Sequence, residues 1–284
     1  MAGQAPPLTR LSFMSDLRPL TSAPFPCRLI VDPPRSGAWN MGVDEALLTA
    51  VAGGDAATLR LYQWEEPTLS LGYFQRYADR ESHAASRNAA VVRRQSGGGA
   101  LMHDRELTYS LVLPTAHPLA RDTQRLYYAM HHAIIAALVR LLGAHANAWT
   151  LETRAIGANL PARDEPFLCY QRRAPGDVTI AARGAKDNGL THKIIGSAQR
   201  RRGAVLQHGS VLLGTSPAAP ELPGLCDLTG VDVTMEALAA ALPPETAALV
   251  GHSARPVTLP AEVEREATRL AREKYSSHRW TEHR

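Results

Sequence analysis

Apolar and polar residues change period several times along the 284-residue chain, and each change marks an element. In GAWNMGVDEALLTAVAGG, Met41, Leu47, Leu48 and Val51 recur at helical spacing before Gly53 and Gly54, which predicts an amphipathic helix with a glycine stop. In TLRLYQW the period falls to two, with Leu59, Leu61 and Gln63 alternating against Arg60 and Tyr62, the pattern of a strand. TLSLGYFQ predicts a second short strand broken at Gly72, Ala90–Arg93 a third, and LTYSLVLP a fourth ended by Pro114. Asp122 is placed to cap a long helix in which Leu126, Met130, Ile134, Leu138 and Leu141 keep helical spacing until Gly143. His131 and His132 are adjacent on that helix and point in different directions, so they read as packed or solvated histidines rather than a chelating pair. Strands return in DVTIAA, HKIIGSAQ and GAVLQHGSVLLG, with a polar hairpin loop, ARGAKDNGLTH, between the first two. Two short helices are expected around Thr234–Leu242 and Pro260–Lys274. Without regular βαβ alternation, this order predicts an α/β (α+β) domain with mixed or antiparallel sheets rather than a doubly wound fold.

Composition narrows the setting. Hydrophobic residues make up 45% of the chain and charged residues 20%, as in ordinary globular proteins. No run of about 18 apolar residues is present, which argues against a membrane span. The first 27 residues are rich in proline and polar side chains and read as a loosely ordered leader without a secretory h-region. Residues 28–224 are then expected to form the main domain, and 225–284 a short helical extension packed on it. Three scattered cysteines, Cys27, Cys169 and Cys226, form neither a disulfide framework nor a zinc pattern and point to a reducing, cytoplasmic setting. A net charge of +4 suits an acidic partner better than nucleic acid, for which no recognition motif is present.

The chemistry concentrates around VVRRQSGGGALMHD. Three consecutive glycines after a buried strand free the main chain to approach a ligand, and successive N–H groups there can converge on an anion or a carbonyl oxygen. Taken alone, the run reads equally as a hairpin tip, and no Gly-Lys-Ser/Thr follows to make it a P-loop.

Together with KIIGSAQRRRGAVLQHGS, the segment resembles the catalytic domain shared by lipoate-protein ligases, octanoyltransferases and biotin-protein ligases. The matching residues are Arg93, Arg94, Ser96, Gly97, Gly98, Gly99, Ala100, His103 and Asp104, then Lys193, Ile194, Gly196, Ser197, Ala198 and Gln199, then Gln207, His208, Gly209 and Ser210. NMGVDEALL resembles the family's opening helix, and the likeness runs from about Ala38 to Leu213. It implies a mixed α/β fold with a large and a small sheet flanked by helices, and a tunnel for a medium-length acyl chain between the glycine loop and the lysine strand. Arg93, Ser96, Gly97, Gly98, Gly99, His103, Gly196, Ser197, Ala198 and His208 fall on its acyl- and substrate-binding positions. His103 and His208 read equally as structural histidines.

Within that family, FLCYQRRAPGDV resembles the segment of a cysteine-dependent octanoyltransferase branch, with Cys169, Tyr170, Pro175 and Asp177 on its positions. The resemblance implies that octanoate passes from acyl carrier protein to Cys169 as a thioester and then to a lysine of a lipoyl domain or of the glycine cleavage H protein, without a cofactor. Thioester exchange is nearly balanced and amide formation is downhill, and the covalent intermediate splits one hard step into two. Lys193 would then stabilise the thiolate and polarise the carbonyl, or serve as general base. Gly98–Gly99 and Gly196 are candidate oxyanion donors. The alternatives are an ATP- and Mg-dependent lipoate-protein ligase, an octanoyl amidotransferase between lipoyl domains, and an inactive acyl-binding scaffold. Arg200, Arg201 and Arg202 read as a solvated run or as a docking surface for an acidic partner. No metal site is expected.

Overall fold

The computed structural model describes residues 25–153, 166–185, 191–250 and 254–284. The expected leader, apart from Phe25, Pro26 and Cys27, and most of the expected KDNGLTH insertion lie outside the described residues. The chain opens with β1 (Cys27–Val31), α1 (Gly37–Ala52) and β2 (Ala57–Tyr62), followed by β3 (Thr68–Leu71), β4 (Ala90–Arg93), β5 (Leu101–His103) and β6 (Glu106–Pro114). Then come α2 (Pro118–Arg121), α3 (Thr123–Leu142), β7 (Trp149–Thr153), β8 (Val178–Ala182), β9 (His192–Arg201) and β10 (Ala204–Leu212). The chain ends with α4 (Leu225–Thr229), α5 (Met235–Val250), β11 (Arg255–Pro256), α6 (Ala261–Leu270) and α7 (His278–Thr281).

Eight strands form one sheet in the order β11-β1-β2-β6-β10-β9-β8-β7, parallel only where β1 meets its two neighbours. The other sheet is β4-β3-β5, again with one parallel and one antiparallel pair. The mixed large and small sheets match the expected fold class. β1, β5, β7 and β11 carried no sequence signal strong enough to predict them. Cys27, assigned to the leader by composition, is the first residue of β1 and is buried.

Alternation in the central strands separates two buried faces rather than core from solvent. Leu59 and Leu61 of β2 and Leu107, Tyr109, Leu111 and Leu113 of β6 face a core shared with α3 and α5. Tyr62 and Val112 face a second core under α1 and α6. The polar residues on the α1 face are bonded: Arg60 reaches Asp32 at 2.7 Å, Asp44 at 3.1 Å and Asn40 Oδ1 at 2.8 Å. An unpaired charge so deep would be costly. α3 begins at the Asp122 cap, which accepts from Arg125 N at 2.9 Å. The helical stretch Thr123–Ala148 that it opens is by length and composition apolar enough to cross a bilayer, but half of its most apolar 18 residues are buried inside the protein.

α5 runs to Val250 although Pro243 and Pro244 predict an end at Leu242. Each proline removes one ladder donor, but Leu238, Leu242, Leu249 and Val250 all pack into the core under α3, and this packing carries the helix across the break. The described residues after Gly224 are woven into the body of the protein, with β11 on the sheet edge and Val263, Ala267 and Leu270 against α1.

Two backbone features place the site. Val178 pairs with Ile195 but Thr179 pairs with Lys193, so β9 holds one surplus residue, Ile194. This β-bulge turns both Ile194 and Ile195 into the α3 core and lays Lys193 against Gly196, on the opposite face. Gly209 stands in register between Tyr109 and Ser197. Its bare Cα lets the Tyr109 hydroxyl reach Ser197 Oγ at 2.6 Å. A Cβ there would sit 2.4 Å from both the Gly196 oxygen and Ser197 Oγ. Gly209→Ala is therefore expected to destabilise the fold by about 1–3 kcal/mol, read as a lower urea midpoint.

Candidate active site

The glycine loop joins β4 to β5 and is pinned. Arg94, buried beneath it, donates from Nη2 to the Gly97 and Gly99 oxygens at 2.9 and 2.7 Å, and from Nη1 to the Ser70 oxygen at 2.8 Å. Burial lowers the Arg94 pKa to about 10, so it stays charged near neutrality. At the loop exit, Ala100 bridges Leu168, and Cys169 N donates to the Ala100 oxygen at 2.7 Å. The loop and the cysteine segment are thereby stitched together. Gly98 takes a φ of +98°, open to glycine without strain. The N–H groups of Gly98 and Gly99 have no acceptor among the described residues, and both glycines line an open cleft of about 1030 Å³.

Cys169 and Lys193 meet in this cleft. Lys193 Nζ lies 3.5 Å from Cys169 Sγ, 3.1 Å from the Cys169 oxygen and 2.8 Å from Asp177 Oδ2. The lysine is almost wholly buried, and its stem lies across Gly196, where a Cβ would be 2.7 Å from Cε. Burial works against the ammonium, but the Cys169 thiolate and then Asp177 outweigh it and hold the pKa above the ordinary lysine value. Asp177 also accepts from Tyr127 at 2.8 Å and from Ala174 N at 2.7 Å.

Behind Asp177 runs a hydrogen-bond chain that the sequence did not expose. Tyr127 and His131 are one turn apart on α3, their rings 4.4 Å apart. His131 Nδ1 donates to the Gly176 oxygen at 2.7 Å, leaving Nε2 to accept from Ser197 Oγ at 2.5 Å. His131 was expected to be merely packed or solvated, but it buttresses the turn that carries Asp177. The i, i+4 placement of Tyr127 and His131 was the available signal. Burial lowers the His131 pKa to about 4, against an ordinary value of 6.5. The fold holds the neutral ring, so this contribution is full above about pH 6.5 and is lost as pH falls through 4, worth up to about 3 kcal/mol. His131→Gln is expected to show a smaller loss of urea midpoint between pH 7 and 4 than the natural protein.

The other expected residues divide. Cys169, Lys193, Gly98, Gly99 and Ser197 line the cleft, with Gly97 and Gly196 immediately beside them. His103, His208 and Ala198 line a second, mainly apolar cavity of about 20 Å³ with Met41, Trp64 and Leu101. That is room for about a single water. In place of one continuous tunnel there are thus two spaces, with Arg94 and the pinned loop at their junction. His208 accepts no freedom: Nδ1 is 3.0 Å from Asp44 Oδ2 and Nε2 is 2.5 Å from Ser96 Oγ. Burial opposes the Asp44 charge, but His208 and Arg60 outweigh it and hold the carboxyl below the usual range. His103 stacks on Trp64 at 3.9 Å and contacts Ser70 and Glu106. Arg93 lines neither space, because its guanidinium is spent on the carbonyl oxygens of Gly72, Gln75 and Thr281. Arg94 is the motif arginine that reaches the loop. Arg200, Arg201 and Arg202 are exposed on the β9–β10 hairpin. No cluster of three or more His, Cys, Asp or Glu side chains among the described residues is placed to hold a metal.

A fold of this topology, with a glycine loop and a lysine strand facing one cleft, defines a class: the chain belongs to the lipoyl protein ligase A/B catalytic-domain family, whose model matches residues 36–221. Within that family it is similar to the octanoyltransferase LipM of Kyrpidia tusciae, 33% identical over 271 residues that cover 86% of this chain and 94% of that protein. It is also similar to the octanoyltransferase LipM of Clostridioides difficile, 36% identical over 190 residues, covering 66% of this chain and 65% of that protein. Among solved structures, a bi-partite lipoate protein ligase from Thermoplasma acidophilum shares the fold, with a TM-score of 0.67 at 23% identity over 91% of this chain and 96% of that one.

Proposed function

We propose that the chain is a cytoplasmic octanoyltransferase of protein lipoylation that moves an octanoyl group from acyl carrier protein through a Cys169 thioester to a lysine of a lipoyl domain or of the glycine cleavage H protein. The observation that carries this reading is the Cys169 sulfur 3.5 Å from the Lys193 amine at the edge of the cleft. The similarity to octanoyltransferases supports it.

In the first step the Cys169 thiolate, the reactive form, attacks the thioester carbonyl. A new C–S bond forms, and the Gly98 and Gly99 N–H groups face the developing oxyanion. Collapse breaks the bond to the carrier sulfur, which leaves with the proton of the Lys193 ammonium. Acylation removes the thiolate charge, the foremost influence raising the Lys193 pKa, while burial, which lowers it, remains. The neutral amine is thereby favoured when a base is needed. In the second step the acceptor amine attacks the Cys169 thioester, Lys193 takes its proton, and the thiolate is restored. One lysine thus serves as acid and then as base, with no nucleotide consumed.

The acyl chain runs toward the inner cavity, whose walls must part to admit it. Its six methylenes would contribute roughly 5 kcal/mol at about 0.8 kcal/mol each.

The test incubates the protein with octanoyl-acyl carrier protein and a lipoyl domain without ATP, and weighs the products. Octanoylation of the domain lysine is expected. Modification only with ATP and free lipoate would overturn the reading in favour of a ligase, and none under either condition would leave an acyl-binding scaffold.

A further inference from the structure

The motif arginine that misses the cleft fastens another part of the chain to it. Arg93 is fully buried and donates from Nε to the Thr281 oxygen at 2.8 Å, and from Nη1 to the Gly72 and Gln75 oxygens at 2.9 and 2.6 Å. The contact is mutual, since the Trp280 indole N–H donates to the Arg93 oxygen at 2.8 Å. Trp280 is itself held by the Lys274 ammonium, 4.1 Å from its ring, and Lys274 is tied to Glu45 of α1 at 2.6 Å. Further along, His283 packs on Tyr73 at 5.2 Å and the Arg284 guanidinium lies over Tyr73 and Phe74 at 5.6 and 5.3 Å. The Arg284 oxygen accepts from Tyr77 N at 2.7 Å.

Residues 280–284 therefore grip loop 72–77 from outside, and the inner side of that loop is the cleft wall. Phe74 and Gln75 line the cleft. Gln75 Oε1 accepts from Gly72 N at 2.9 Å. Gly72 approaches the glycine loop so closely that a Cβ would be 2.0 Å from the Gly98 oxygen. Phe74 is 67% exposed, so core packing does not fix it.

We propose that residues 280–284 form a strap that positions the cleft wall 72–77 and, through Gly72, the Gly97–Gly99 loop for acyl capture at Cys169. Trp280 and Arg284 are positioning residues, and Arg93 is the fastening. The part concerning acyl capture rests on the octanoyltransferase reading. No strap residue bonds to Cys169, Lys193 or Asp177, so loosening it shifts the oxyanion donors and the wall without altering the thiol's immediate partners. Without Thr281 and Trp280 the Arg93 side chain, whose Nη2 already has no partner among the described residues, opens to water and releases the wall it holds.

The test uses the full chain with Trp280→Ala and, because loss of a partly buried indole puts folding at risk, Arg284→Ala, an exposed position. Amide hydrogen exchange at residues 72–77 and 97–99 is expected to quicken about tenfold or more in Trp280→Ala, and less in Arg284→Ala, with α3 unchanged. The rate of acyl-Cys169 formation from octanoyl-acyl carrier protein is expected to fall about 10- to 100-fold in Trp280→Ala, the scale of misplacing reacting groups by about 1 Å. Alkylation of Cys169 by iodoacetamide is expected to stay within about twofold of the natural rate, since the strap does not touch the thiol. Exchange that is unchanged at both segments in both variants, exchange that rises equally in α3, or capture at the natural rate would overturn the strap. If the natural protein forms no acyl-Cys169, the octanoyltransferase reading fails, and the exchange measurement still decides whether the strap holds the wall.

Discussion

Cys169→Ala is expected to reduce octanoyl transfer by at least about 10³-fold while leaving the fold intact, because the nucleophile is removed and nothing structural goes with it. The sulfur's polar contact is with Lys193. The bonds that shape this segment use the backbone: Cys169 N to the Ala100 oxygen, and the Cys169 oxygen from Arg172 N and Lys193 Nζ. Alanine keeps all three. Intact-mass measurement after mixing with octanoyl-acyl carrier protein should show an acyl adduct on the natural protein and none on the variant, at unchanged melting temperature. A variant that still modifies the lipoyl domain would remove Cys169 from the reaction path.

Lys193→Met should damage both activity and stability. Methionine fills the space over Gly196 but leaves the buried Asp177 carboxylate without its cation. Breaking a buried pair commonly costs about 3–5 kcal/mol. Tyr127 and Ala174 N still bond Asp177, so the loss belongs at the low end, about 3 kcal/mol, read as a shifted urea midpoint. Transfer is expected to fall by about 10²- to 10⁴-fold, the usual worth of a positioned acid–base group. Lys193→Arg separates the two proposed roles. A guanidinium keeps the positive charge but does not give up its proton, so slow acyl capture with accumulation of the thioester is expected. Normal turnover in that variant would exclude proton transfer through residue 193.

Much of this site was legible in the sequence because it is made of short contiguous motifs. The glycine run, the lysine strand and the cysteine segment each announce themselves locally, and so do the long helix with its Asp122 cap and the alternation in β2 and β6. What escaped depends on direction rather than identity. Arg93 and Arg94 are neighbours at the end of a strand, so their side chains diverge, and the sequence cannot say which one turns to the glycine loop. The expectation chose Arg93, and the structure turns Arg94 there. His131 looked inert because a helix pattern shows which face is apolar but not which polar residue will meet a distant turn. Arg60 read only as the polar phase of a strand and His208 equally as a ligand contact or a structural histidine, since alternation alone cannot distinguish a solvent face from a second buried layer. β11 is too short to carry a period, β1 begins inside the proline-rich stretch that composition assigned to the leader, and tertiary pairing creates both.

The surplus isoleucine in β9 has a consequence for any attempt to shorten this strand. Side chains on a regular strand keep strict phase with the backbone, and a bulge is the place where one extra residue is absorbed without inverting the pairs on either side. Deleting Ile194 would leave residue 193 opposite Thr179 and on its own face, and would take one of the two isoleucines out of the hydrocarbon beneath the long helix. The direction of the amine is therefore set by the pairs that flank the bulge, and the extra residue serves the core rather than the chemistry.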